Sequence, residues 1–387
     1  MLRSAGRSQE AYDLDRDIFQ KQEASLGGSH PHTLQTASSI AADLRALGKF
    51  RDALAMDEDT YNQLRYTVGP DEPTALSVAN NLAVDLRLVG NFTKARDIDA
   101  ETLADRKRVL GDDHPYTLHS EAMLGRDMRE LGEYAESIDL LSATLQRYRA
   151  KLGEDFVDTL RTAKSLAVSL RKIGRLGEAF RLTSQTYERY TTIYGPSHPD
   201  ALACQLNLAC DQSALEEKAE AHETASQVLR VYEATLGTSH PFTLAVRNNI
   251  STYLRGSGSP RAALELADRT LAGLRAALGD EHPFTLSCAI NRANCLHDLG
   301  RFAQVEGQLQ EDLDRLVKVL GKRHPDTLVC QANLAVNLRA GGKSEDAERL
   351  QQIVMADMRR ALGEEHPNII ALREWHVQNR DLEVQPT

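Results

Sequence analysis

Seven histidines, His30, His114, His198, His240, His282, His324 and His366, fall in one register of a chain that repeats itself every 42 residues. Imidazole is a common zinc ligand, and a column of it invites a search for metal. Each nitrogen would have to approach the ion to about 2.1 Å, whereas packed helices lie roughly 8–10 Å apart. Histidines one repeat apart therefore cannot share an ion, and Glu72 and Phe156 stand in the same register; the column is read as turn chemistry. "AGGKS" at 340–344 ends like a phosphate-binding loop, but Asn337 stands where GxxxxGK[ST] requires its first glycine. There is no nucleophile elbow and no zinc motif. The sequence points to a protein that is not an enzyme, with no catalytic residue, metal or cofactor. One register remains that could serve a ligand, a row of side-chain amides: Asn81, Asn207, Asn249, Asn291 and Asn333.

The elements that would position this row follow from the repeat. Within residues 80–111, Leu82, Ala83 and Leu86 recur at helical spacing, "VGN" interrupts, and Ala95, Ile98, Leu103 and Leu110 begin a second helical pattern. The unit is a helix hairpin. Stretches like "LGDDHPYTL" at 110–118 join one hairpin to the next, with Gly111 expected to end a helix in the left-handed conformation and Pro115 to open another. Ser29, Asp113, Ser197, Ser239 and Glu281 are the expected acceptors for the helix-start amides. Aromatics at 5% favour stacked helices over a β-sandwich, and hydrophobic content of 41% excludes disorder. A charge of −10 disfavours nucleic acid. The absence of a long apolar run disfavours a membrane span, and a cytoplasmic location is the simplest expectation. Five cysteines without a CxxC pair are read as core residues.

Small residues in the first helix (Ala41, Ala83, Gly125, Ala167, Ala209, Ala293, Ala335) and alanine early in the second (Ala11, Ala53, Ala95, Ala179, Ala221, Ala263, Ala347) resemble tetratricopeptide repeats. The 42-residue period, the "LGxxHPxTL" joint and "NNLA" at 80–83 are similar to the kinesin-light-chain variety. "DLR" at 43–45 and 85–87 and "DEDTY" at 57–61 resemble actinobacterial arrays, some of them in FxSxx-COOH peptide systems and many joined to an upstream NB-ARC-type NTPase. The resemblance implies an all-α, right-handed superhelical solenoid. Residues 1–27 would be an incomplete repeat, 28–363 eight repeats, and 364–387 a C-terminal capping helix and tail. "NIIALREWHVQNRDLEV" at 368–384 is read as one helix. The open N-terminal face, with Ile18 and Phe19, would meet a second copy or an upstream domain. Repeat five, where Glu216 replaces the turn glycine, would be a weak link or hinge.

The resemblance also places the first helices on the concave surface. A helix that buries Leu82, Ala83 and Leu86 turns Asn81 the other way, at about 100° per residue. An amide donates and accepts, so the row could hold the backbone of an extended peptide, or bond neighbouring helices to each other. Val84 and Leu88 offer apolar contact. Where the row is interrupted, Arg126, Arg161 and Lys172, with Lys164 and His119 at the edge, form a candidate carboxylate clamp. The aspartates and arginines of the "DLR" column are expected to make exposed inter-repeat ion pairs worth about 0–1 kcal/mol each, with ligand binding the alternative. The implied function is a scaffold that captures a protein C-terminus or other extended peptide; a sensor arm of an NB-ARC-type NTPase is the alternative.

Overall fold

The computed structural model describes residues 6–385. It begins with α1 (Ser8–Leu26), continues as helix pairs, and ends with the short α18 (Pro367–Arg373). The pairs are α2/α3 (Pro31–Ala46, Phe50–Thr67), α4/α5 (Pro73–Leu88, Phe92–Leu110), α6/α7 (Pro115–Glu130, Tyr134–Leu152) and α8/α9 (Val157–Lys172, Leu176–Tyr194). There follow α10/α11 (Pro199–Ala214, Lys218–Thr235), α12/α13 (Pro241–Gly256, Pro260–Leu278), α14/α15 (Pro283–Asp298, Phe302–Val319) and α16/α17 (Pro325–Ala340, Ser344–Leu362). No strand occurs among the described residues. None of these helices is long and apolar enough to cross a membrane. The fold is an all-α solenoid of stacked hairpins.

The joints work differently from the sequence expectation. Each histidine of the column is the N-cap itself: its Nδ1 accepts the amide two residues on, as from His32 to His30, Tyr116 to His114 and Phe242 to His240, at 3.1–3.2 Å. Glu72 does the same with a carboxylate oxygen, accepting from Thr74. Thus imidazole, and not the neighbouring serine or aspartate, satisfies the helix-start amide. At the preceding helix end Gly111 has φ 86° and ψ 164°, an extended conformation at positive φ that is essentially confined to glycine, and not the left-handed helical region.

The chain divides into two compact units: Met1–Leu166 with Glu188–Ala201 and Gln385–Thr387, and Ala167–Tyr187 with Leu202–Val384. The boundary passes inside α8, α9 and α10, not through the turn at Glu216. In the first unit, α1 to α7 pack each against the next, and α2 also touches α4. Ile40, Leu44 and Ala53 form a core against which Tyr12, Phe19 and Met56 rest. Phe19 is thereby used inside the stack, while Ile18 is about one-third exposed. In the second unit, α11 to α17 pack sequentially, and α12, α14 and α16 also touch in a row. First helices therefore form the inner layer, and this is the layer that carries the asparagines. The unit's first turn meets its last helix: His366 Nε2 lies 3.0 Å from the Lys172 carbonyl. A Cβ added at Gly174 would fall 2.6 Å from Pro367.

Buried polar links tie hairpin to hairpin. Arg45 Nη1 holds Asp57 at 2.7 Å and Asp85 of the next hairpin at 3.0 Å; Arg87 repeats the arrangement with Asp99 and Asp127. In the second unit Arg171 holds Asp211 at 2.7 Å. Arg45 and Arg87 are at most 5% exposed and their aspartates fully buried, so these are not the exposed pairs the sequence suggested. With two carboxylates on one guanidinium, burial pushes Asp85 up to about 8 against the pull of Arg45, and it raises Asp57 and Asp127 as well. All five cysteines are buried. Cys204, Cys288 and Cys330 each donate a thiol to a carbonyl on the second helix of the preceding hairpin, at Thr183, Ala267 and Leu309.

Candidate peptide-binding groove

Three asparagines of the row, Asn249 on α12, Asn291 on α14 and Asn333 on α16, each grip a peptide backbone with both ends of the amide. That backbone is the chain's own C-terminal segment. Asn333 accepts from the Gln378 amide at 2.7 Å and donates to its carbonyl at 2.9 Å. Asn291 treats Arg380 likewise at 2.8 and 2.7 Å, and Asn249 treats Leu382 at 2.8 and 2.9 Å. One repeat of solenoid thus matches two residues of peptide, which runs opposite to the order of the repeats. The match is physical: alternate residues of an extended chain turn their amide and carbonyl to the same side, and a side-chain amide complements both.

This corrects the reading of 368–384 as one helix. Helix α18 stops at Arg373, Trp375 takes φ 62°, and residues 376–385 carry no regular secondary structure. The Arg339 guanidinium lies 4.3 Å from the Trp375 ring centre, at the point where the segment leaves the helix. Further side chains fix the segment. Asn294 donates to the Gln378 carbonyl at 2.8 Å, and Asn248 to that of Arg380 at 3.2 Å. Arg380 pairs with Asp326 at the start of α16. Leu382 and Val384 are 4% and 3% exposed. Glu383 Oε1 sits 2.9 Å from both Arg171 Nη2 and Lys172 Nζ.

The other predicted groove residues behave differently. Asn207, buried in the second unit, leaves its Oδ1 without a hydrogen-bond partner. Asn81, in the first unit, donates to Ser38 at 3.1 Å and so bonds helix to helix. Val84 is half-buried and Leu88 is buried.

The five clamp candidates do not gather on one anion. Arg161 and Lys164 both hold Asp200, at 2.9 and 2.7 Å. Against the effect of burial, the two cations keep its carboxyl well below the usual range. Burial pushes His119 down to about 4, so it is neutral near pH 7. Lys172 lies in the second unit and joins Arg171, which was not among the candidates, on Glu383. Arg126 has no carboxylate in ion-pairing range among the described residues; it donates to Met123 Sδ at 3.9 Å. Burial, with Arg87 and Arg129 nearby, pushes its guanidinium down to about 9.

Sequence reasoning missed Asn294 because its register elsewhere holds Val84, Arg126 and Val336. It missed Asp326 because that residue sits in the joint. No group of His, Cys, Asp and Glu among the described residues could hold a metal. Lys343 of "AGGKS" lies in the turn before α17 and pairs with Glu306 at 2.7 Å.

No curated protein matches the chain. Among solved structures, the nearly identical TPR-like repeats of a kinesin-light-chain-like protein from Podosopora anserina share 27% identity over 52% of this chain and 95% of their own, with a TM-score of 0.41. BtubC (BKLC) from P. vanneervenii shares 16% over 62% and 94%, with a TM-score of 0.43. A Rap protein complexed with Competence and Sporulation Factor shares 13% over 93% and 95%, and its TM-score of 0.68 reflects the same kind of fold. Tetratricopeptide-repeat profiles match residues 74–150, 158–234, 243–284, 285–326 and 327–368. With the repeat matched over most of its length, the chain belongs to the tetratricopeptide repeat family.

Proposed function

We propose that this protein is an interaction scaffold whose second unit holds an extended peptide by its backbone, with the asparagines as the gripping groups. The observation that carries this reading is the paired hydrogen bonding of Asn249, Asn291 and Asn333 to Leu382, Arg380 and Gln378. Such bonds recognise an extended backbone regardless of its side chains, so a segment of another protein could take the same place. The Rap protein of similar fold, seen with Competence and Sporulation Factor, is a precedent for a ligand bound to this architecture. In the first unit, Arg126 is where a carboxylate or phosphate of a ligand would be received, since among the described residues it makes no ion pair and donates only to Met123 Sδ.

The test is binding of a fluorescent peptide with the sequence of residues 376–385 to a chain shortened to end at Glu374. Saturable binding that is lost when Asn249, Asn291 and Asn333 are together replaced by alanine supports the reading. A shortened chain that binds no peptide, while melting like the parent, removes it.

A further inference from the structure

Backbone bonds to Gln378, Arg380 and Leu382 cannot by themselves choose a ligand or its register. A peptide slipped by two residues would satisfy the same asparagines. The groove nevertheless carries opposite charges at two separated places. Asp326 on α16 takes the Arg380 guanidinium, the two side chains being 13% and 11% exposed. Arg171 and Lys172 on α8 take the Glu383 carboxylate, which is 12% exposed. Between and beyond these charges Leu382 and Val384 are buried. A segment slipped by two residues carries its arginine away from Asp326 in either direction and sets Asp381 or Gln385 in the place of Glu383, so it is the shielded Asp326 that loses its counter-charge.

Resting on the function proposed above, we infer that the second unit selects its partner by a charge register. Its ligand is an extended segment of another protein with the chemistry basic, polar, aliphatic, acidic, aliphatic, for which Arg380-Asp381-Leu382-Glu383-Val384 stands in. The asparagines supply the grip and the two charged stations supply the choice. The resident segment leaves the solenoid at Trp375, whose φ of 62° closes α18, the His376 amide donating back to the Ala371 carbonyl at 2.8 Å. Trp375 is the chain's one tryptophan, and its contact with Arg339 gives displacement an intrinsic signal.

The experiment uses the full chain with its own tail charges reversed, Arg380→Glu with Glu383→Lys, so that the resident segment meets Asp326, Arg171 and Lys172 with like charges. Two labelled peptides are titrated: residues 376–385 as they stand, and the same sequence with those two charges reversed. The inference expects the first to bind about tenfold or more tighter. Adding Asp326→Lys to the chain should turn the preference toward glutamate at the position of Arg380. In the unsubstituted chain, the same peptides competing with the resident tail should displace it in the same order, read from Trp375 emission, which guards against a folding defect in the variant. Equal binding of the two peptides overturns the charge register and leaves backbone capture standing. Binding of neither peptide to either chain overturns both.

Discussion

Replacing Asn291 with alanine should release the C-terminal segment without unfolding the solenoid. The substitution deletes the bond accepted from the Arg380 amide at 2.8 Å, the one donated to its carbonyl at 2.7 Å and the one donated to Asn248 Oδ1 at 3.0 Å. The carbonyl keeps Asn248, at 3.2 Å. The two bonds to the segment are each worth about 0.5–1.5 kcal/mol net, so the loss is about 1–3 kcal/mol, or roughly 5- to 150-fold in the docking equilibrium. Amide hydrogen exchange measures this directly. Exchange at Gln378, Arg380 and Leu382 should accelerate together by that factor, while amides inside α12, α14 and α16 keep their protection. Acceleration at Arg380 alone would show that the segment does not leave as a unit. Unchanged exchange at all three would refute the claim that the asparagines hold it.

Other substitutions test the frame that presents the groove. Glu216 occupies a turn position where other repeats have glycine, and its φ is 68°; Glu216→Gly should stabilise the protein by about 1 kcal/mol in denaturant unfolding. Arg87→Ala leaves Asp99 and Asp127 buried without their counter-charge and should cost about 3–5 kcal/mol in the same assay, whereas an exposed-pair origin predicts less than about 1 kcal/mol. Asp85, raised to about 8 by burial, binds a proton in the folded state that the unfolded state releases near pH 4. Its contribution is therefore complete below about pH 4 and is lost as pH rises toward 8. Asp85→Asn should flatten the decline of stability across that window by up to about 1.4 kcal/mol per pH unit; an unaltered slope would place the titration elsewhere.

The hairpin architecture was legible because glycine punctuates every joint, proline opens every first helix but α8, which starts at Val157, and the small residues recur on facing helices. The asparagine row was legible for the same reason, since a helical wheel turns Asn249, Asn291 and Asn333 away from the buried face. What escaped depends on contacts between elements. The wheel of one first helix shows Asp85 and Arg87 but not Asp57 and Asp99, which arrive from second helices and close over the arginines. Histidine capping was hidden by nearby serines and aspartates, the commoner acceptors. The C-terminal segment was the largest departure. "NIIALREW" continues an apolar helical spacing, and only the waiting amides and the Arg339 surface make an extended path better than another helical turn. What the register of the clamp candidates could not show is that Asp200, in a joint two hairpins from Arg126, pairs with both Arg161 and Lys164.

The central claim is that this unit captures extended peptide at the asparagine row. The most direct measurement is amide exchange of the resident segment in the full chain while a peptide of residues 376–385 is added in excess. The account predicts that protection at Gln378, Arg380 and Leu382 falls in proportion to peptide bound, because one backbone must leave for the other to enter. Peptide that binds while those three amides stay protected would place the binding surface elsewhere and contradict the account.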